Sequence, residues 1–127
     1  MKTFVVESPL RLKIEEDKKK FKIPFDTLDL GWGNGYVIIP HWHWLAGTPY
    51  DNIDVEVHGG LTFSGYVGNC KWPDIPDNCH PDDYIVGFDT VHYMDNIHNC
   101  SQSYVVHETI KLRNQLMLLV YPLLTSA

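Results

Sequence analysis

A chain of 127 residues with 44% hydrophobic and 20% charged side chains has the size and balance of a single folded domain, residues 1–127, and no bias towards disorder. Its formal net charge of −6 argues against a nucleic-acid partner, which needs a basic face to displace phosphate counterions; the one basic run, Lys18-Lys19-Lys20, follows Glu15-Glu16-Asp17 and reads as a solvated turn. No stretch nears the ~18 apolar residues of a membrane span and no export core follows Met1, while three cysteines, an odd number, suit a reduced cytoplasmic protein better than a disulfide framework.

Residues 3–6 read as a short strand, broken by Pro9. Leu10-Arg11-Leu12-Lys13-Ile14 alternates with a period of two and predicts a second, half-buried strand; Phe21-Lys22-Ile23, before Pro24, adds a weaker β signal. Gly31-Trp32-Gly33-Asn34-Gly35 reads as a turn, because glycine and asparagine tolerate positive φ, and Tyr36 to Ile39 as a strand ended by Pro40. Residues 41–53 form a loop or short helical turn. In Asp54-Val55-Glu56-Val57-His58 the two valines share one face and the polar residues the other, and Gly59-Gly60 then predicts a hairpin into a strand from Leu61 to Val67.

Residues 68–83, rich in proline, aspartate and cysteine, read as a long irregular loop. Tyr84 to Phe88 is apolar on both faces, as a central strand would be, and residues 89–100 make a polar connection. The last element is a helix from about Ser103 to Val120, capped by Ser101 or Ser103 and stopped by Pro122. Val106, Ile110, Arg113, Met117 and Val120 form its stripe, with Thr109, Leu112 and Leu116 beside it. This order predicts an α+β fold, a mainly antiparallel sheet with one long C-terminal helix packed on it.

Seven histidines suggest chemistry. His58 precedes two glycines whose amides can cradle an anion, with the Thr62 hydroxyl close behind; an incidental polar hairpin edge is the plainer reading. Asp89, His92 and Asp95 follow the central strand, where a carboxylate beside an imidazole orients it or raises its pKa, and where two carboxylates and two histidines would hold a divalent metal. An Asx cap beside a surface histidine is the alternative. His41 and His43 sit between Trp42 and Trp44, as suited to aromatic packing as to metal. Cys70, Cys79, His80 and Cys100 lack the tight spacing of a zinc knuckle.

Gly33-Asn34-Gly35-Tyr36-Val37, then Pro40 and His43, Tyr50-Asp51, Val57-His58-Gly59-Gly60-Leu61-Thr62-Phe63 and Gly87-Phe88-Asp89-x-x-His92-x-x-Asp95 resemble a family of small uncharacterised bacteriophage, prophage and bacterial proteins with GNGYV, VHGGLTF and GFDxxHxxD motifs. The resemblance spans about residues 31–116. It implies a site of His43, His58, Gly59, Gly60, Thr62, Asp89, His92, Asp95 and Glu108, in the cytoplasm of an infected or prophage-carrying bacterial cell. The chain departs from the pattern at Trp44 (proline in the family), Met94 (glycine) and Val106 (glutamate).

Three functions remain open on these residues. The first is a small-ligand-binding protein that sequesters a nucleotide second messenger of host antiviral defence. In it Trp42, Trp44, Tyr36 or Phe63 stacks on a base, His58 and Thr62 bond the anion and Asp89 takes a ribose hydroxyl. Homo-oligomerisation through the apolar segment Leu116 to Leu124 would suit such a sponge, though that segment also reads as core. The second is a metal-dependent hydrolase of a nucleotide or phosphoester, its divalent metal held by His58, Asp89, His92 and Asp95 and its acid–base group Glu108 or His43. The third is a protein-binding inhibitor of a host factor.

Overall fold

The computed structural model of the chain describes residues 1–21 and 30–121. Four strands, β1 (Lys2–Glu7), β2 (Gly33–Ile39), β3 (Phe63–Tyr66) and β4 (Tyr84–Phe88), form one antiparallel sheet in the order β1-β2-β4-β3. Two helices join them, α1 (Pro9–Phe21) and α2 (Gln102–Leu118).

Strand alternation sends Val37, Ile39, Tyr84, Val86 and Phe88 to one face of the sheet, where they meet Val105, Leu112 and Leu116 of α2 in the main core. The opposite face carries a row across all four strands, Phe4, Tyr36, Gly87 and Phe63, set by the pairings Phe4↔Tyr36, Tyr36↔Gly87 and Phe63↔Gly87. A side chain at Gly87 would fall 2.3 Å from the Tyr36 ring, so only glycine lets that ring lie flat across β4. Phe4 stacks on Tyr36 at 5.0 Å, and Trp72 packs on both Tyr36 and Phe63 at 5.1 Å. The 68–83 segment thus reaches the second face, whose Ile38 and Ile85 are buried.

Several expectations are corrected. Residues 10–14 belong to α1 rather than to a strand: Ser8 caps it, its Oγ accepting the Arg11 N–H at 3.1 Å, and Pro9 takes the first helical position, where its missing N–H costs nothing. The Lys18-Lys19-Lys20 run closes the last turn of this helix, complementing its dipole, instead of forming a turn. Gly33-Asn34-Gly35 lies inside β2, and of the weak β signal at residues 21–23 Phe21 ends α1 while the rest lies outside the described residues.

A further correction concerns the hairpin. Residues 54–58 run extended with the predicted alternation, Val57 buried and Asp54 exposed, but they pair with no strand, and β3 pairs with β4. Their backbone bonds go to side chains of α2. Gln115 clamps both polar groups of Glu56, and Glu108 accepts the His58 N–H at 3.0 Å. A seven-residue spacing puts both side chains on one helix face.

The last concerns α2. Its Ser101 cap forms as expected, the side chain accepting the Tyr104 N–H. Its buried residues are Val105, Glu108, Thr109, Leu112 and Leu116, whereas Val106, Ile110 and Met117 face outward. At 17 residues it has an ordinary helix length. The α+β class and the antiparallel sheet with a C-terminal helix packed on it stand; Pro122 lies outside the described residues. No helix among the described residues is long and apolar enough to cross a membrane.

Candidate functional site

The polar residues predicted from two separate blocks meet beyond the C-terminal end of β4. His58 reaches it from the extended segment before β3. Its backbone is fixed by Glu108, a carboxylate 7% exposed whose second partner is the exposed Lys111 at 3.7 Å. His58 Nε2 lies 2.9 and 3.0 Å from the two oxygens of Asp95, and its Nδ1 lies 2.9 Å from the Tyr104 hydroxyl on the first turn of α2. Cys100 Sγ stands 3.7 Å from the same Nε2. Burial pushes the Cys100 thiol up to about 11, with the Asp95 charge adding to the effect.

Asp95 is held by a tight turn. Its N–H donates to the His92 carbonyl at 3.0 Å, and its Oδ2 accepts the His92 N–H at 3.0 Å. Burial alone would raise the Asp95 carboxyl, but the bonds from His58 and from the His92 amide outweigh it and bring it below the ordinary value. Met94, within that turn, adopts φ +73°, a left-handed conformation that strains an unbranched apolar side chain and that glycine takes freely.

His92 completes the group. Its ring centroid is 5.8 Å from that of His58, and its Nε2 is 3.1 Å from Asp89 Oδ1, close enough to attract but not aligned for a hydrogen bond. That nitrogen is sealed from solvent without a hydrogen-bond partner. Gly59 explains how it fits: at φ +67° it turns the chain under the ring, and a Cβ there would sit 2.2 Å from Nε2. His58, Gly59, Asp89, His92, Asp95 and Glu108 therefore form one continuous assembly.

The remaining predicted residues stand apart. Thr62 donates its N–H to the Gly87 carbonyl at 2.9 Å while its side chain is exposed, and Gly60 donates to the Val57 carbonyl at 2.8 Å. His43 occupies the loop after β2, with Nδ1 accepting the Leu45 N–H and its ring stacked on Trp44; burial lowers its pKa. Trp42 is 74% exposed on that loop and Trp44 packs on Tyr121, so neither joins the Tyr36 row. Of the four suggested zinc-knuckle residues, Cys100 belongs to the His58 group while His80 stacks on His41, and among the described residues the only set of metal-type donors in mutual reach is His58, Asp95 and Cys100.

A cleft of about 380 Å³ opens on the aromatic face, lined by Val6, Pro9, Asn34, Tyr36, Trp72 and Asp74 among others. Burial raises the Tyr36 phenol, a bond with Asn34 lowers it, and Asp89 and Asp74 add negative charge nearby. Sequence reading missed Trp72, Asn34 and Asp74, and also Cys100 and Tyr104 as neighbours of His58. The Tyr104–Glu108 spacing of four on a helix was the one available signal. No family model, curated protein or solved structure matches the chain.

Proposed function

We propose that this chain is a small-ligand-binding protein whose ligand joins a flat ring to a polar, hydroxylated or anionic part, as a nucleotide does. The observation that carries this reading is the Tyr36–Trp72 cleft, large enough for such a ligand, with Asp89 near enough for its charge to act on the Tyr36 phenol. Aromatic rings offer a stacking surface, Asn34 and Asp74 present an amide and a carboxylate at the rim, and Asp89 accepts a ribose hydroxyl. His92 beside Asp89 is the group that meets an anionic end. Trp42 and Trp44 leave the stacking role assigned to them by sequence, and Trp72 takes it.

Sequestration of a nucleotide signal of host antiviral defence is the biological role we attach to this reading, on the strength of the resemblance to phage proteins. Homo-oligomerisation through α2 belongs to the same proposal, and the outward Val106, Ile110 and Met117 support it. A metal-assisted hydrolase is the second reading, favoured by the buried approach of His58 and Asp95.

Thermal shift and calorimetry with a panel of mono-, di- and cyclic nucleotides test the proposal. A nucleotide should stabilise the protein and be recovered unaltered, and Trp72→Ala should weaken its binding about tenfold or more, since stacking on one base contributes roughly 1–3 kcal/mol. A panel without effect, or a Trp72→Ala variant that binds unchanged, would sink it. Recovery of a cleaved nucleotide would transfer the case to the hydrolase.

A further inference from the structure

From the geometry around His58 we infer that its Nε2, the Asp95 carboxylate and Cys100 Sγ form a three-donor site for a zinc-class divalent ion. This inference does not depend on the nucleotide reading. It also differs from the metal set suggested by sequence, since Asp89 pairs with His92 outside the three donors, and Cys100 enters instead.

The spacing is that of donors around one ion. Zinc bonds of roughly 2.0–2.1 Å to nitrogen or oxygen and 2.3 Å to sulfur, at tetrahedral angles, put nitrogen about 3.6 Å from sulfur and about 3.3 Å from oxygen. In the protein Cys100 Sγ is 3.7 Å from His58 Nε2, Asp95 Oδ1 is 2.9 Å from it, and all three donor atoms lie within 4.8 Å of one another. An ion entering here displaces two protons to solvent, the one between imidazole and carboxylate and the one on Cys100 Sγ, and the Asp95 oxygen draws back from Nε2 to make room.

Surrounding bonds orient each donor. With the metal on Nε2, His58 Nδ1 carries its proton and donates to the Tyr104 oxygen, the kind of outer partner that fixes a ligating histidine. Glu108 holds the His58 backbone, and the His92 amide holds Asp95 Oδ2. Cys100 is fixed by its N–H to the Asn96 carbonyl at 2.8 Å and by the Trp32 N–H on its own carbonyl at 2.7 Å. The donor set selects the ion: a thiolate with an imidazole suits zinc or cobalt, whereas magnesium and calcium require oxygen ligands. Three protein donors leave a fourth position for water or a ligand atom.

Cobalt(II), added to the metal-free full chain and followed by absorption spectroscopy, is the test. A single equivalent should bind with a sulfur-to-cobalt charge-transfer band and tetrahedral d–d bands, and zinc should displace it. The band should vanish in Cys100→Ser and persist in the Cys70→Ser/Cys79→Ser double variant. Tyr104→Phe should keep the band and weaken zinc binding about tenfold. Should Cys100→Ser fail to fold, the unaltered protein still decides. Absence of binding, binding without the sulfur band, or loss of the band in the Cys70/Cys79 variant overturns the inference.

Discussion

Strand β4 carries a histidine–aspartate pair beyond each end, and the two pairs differ in what they leave unsatisfied. At the upstream end Asp83 accepts the His41 ring at 2.9 Å, the His41 N–H at 2.8 Å and the His80 N–H at 2.8 Å. The His41 and His80 rings stack at 4.2 Å, and His80 Nδ1 accepts the Asp82 N–H. Both rings are exposed and their bonds serve to tie the 68–83 segment to the loop after β2. At the downstream end Asp95 and Cys100 are 6% and 1% exposed, His92 keeps a sealed nitrogen without an aligned hydrogen bond, and three metal-type donor atoms lie within 4.8 Å of one another. Proximity of histidine to aspartate is thus common to a clasp and to a site. Burial with polar capacity left over is what separates them.

Backbone strain follows the same division. Upstream, the residue at positive φ is Asn78, which tolerates that conformation; downstream it is Met94, which does not. Strain of this kind persists where the surrounding structure enforces it, and it gathers at functional sites.

The largest expected effect tests whether the downstream end depends on buried hydrogen bonding. Glu108→Ala leaves the His58 N–H without its acceptor and should cost roughly 1–3 kcal/mol in urea unfolding. Glu108→Gln keeps a carbonyl oxygen in place and should recover most of that loss. If Ala and Gln behave alike, the bond to His58 is not what positions the segment.

A smaller effect should mark the clasp, and it should depend on pH. Burial pushes the Asp83 carboxyl up, but the His41 ring and the two backbone amides together bring it below its ordinary value. A group whose pKa is depressed by folding contributes stability that is fully present above its unfolded value, near 3.9, and is lost as pH falls through the folded value. Asp83→Asn should therefore lower Tm at pH 7 by a few degrees, with the gap to the unaltered protein closing below about pH 4. A constant gap across that range would show that Asp83 acts through packing alone.

The smallest effect has the opposite sign. Met94→Gly should relieve left-handed strain of about 1 kcal/mol and raise Tm slightly, after the entropic cost of an added glycine. A fall in Tm would mean that the Met94 side chain contributes more contact than its conformation costs.

Legibility from sequence followed the range of the interactions involved. β2 and β4 announce themselves as apolar runs, and α2 by its serine cap and length, all local signals. The face of α2 was misjudged because Glu108 and Thr109 are buried while Val106 and Ile110 are not, an inversion set by the partners they reach. α1 was hidden by a five-residue alternation that a charged surface helix also produces, although Ser8-Pro9 carried the cap signature. The extended segment 54–58 bonds to Glu108 and Gln115, far along the chain, and no neighbouring residue hints at that. His58, Asp89, His92 and Asp95 were legible as one group; Cys100 and Trp72 were not, since each joins its site only through the tertiary fold.

The strand order has a consequence for how the molecule comes into being. No two of the four described strands are joined by a tight turn: α1 intervenes between β1 and β2, the 68–83 segment between β3 and β4, and Ile39 pairs with Tyr84 across residues 40–83. Each pairing closes a long loop before any contact repays its entropy, which makes for slow folding compared with a sheet of hairpins. The donors around His58 come from two such distant segments, residues 54–58 and 89–100, so they meet only when that long loop is closed. A metal held there would therefore bind only after that long-range contact has formed.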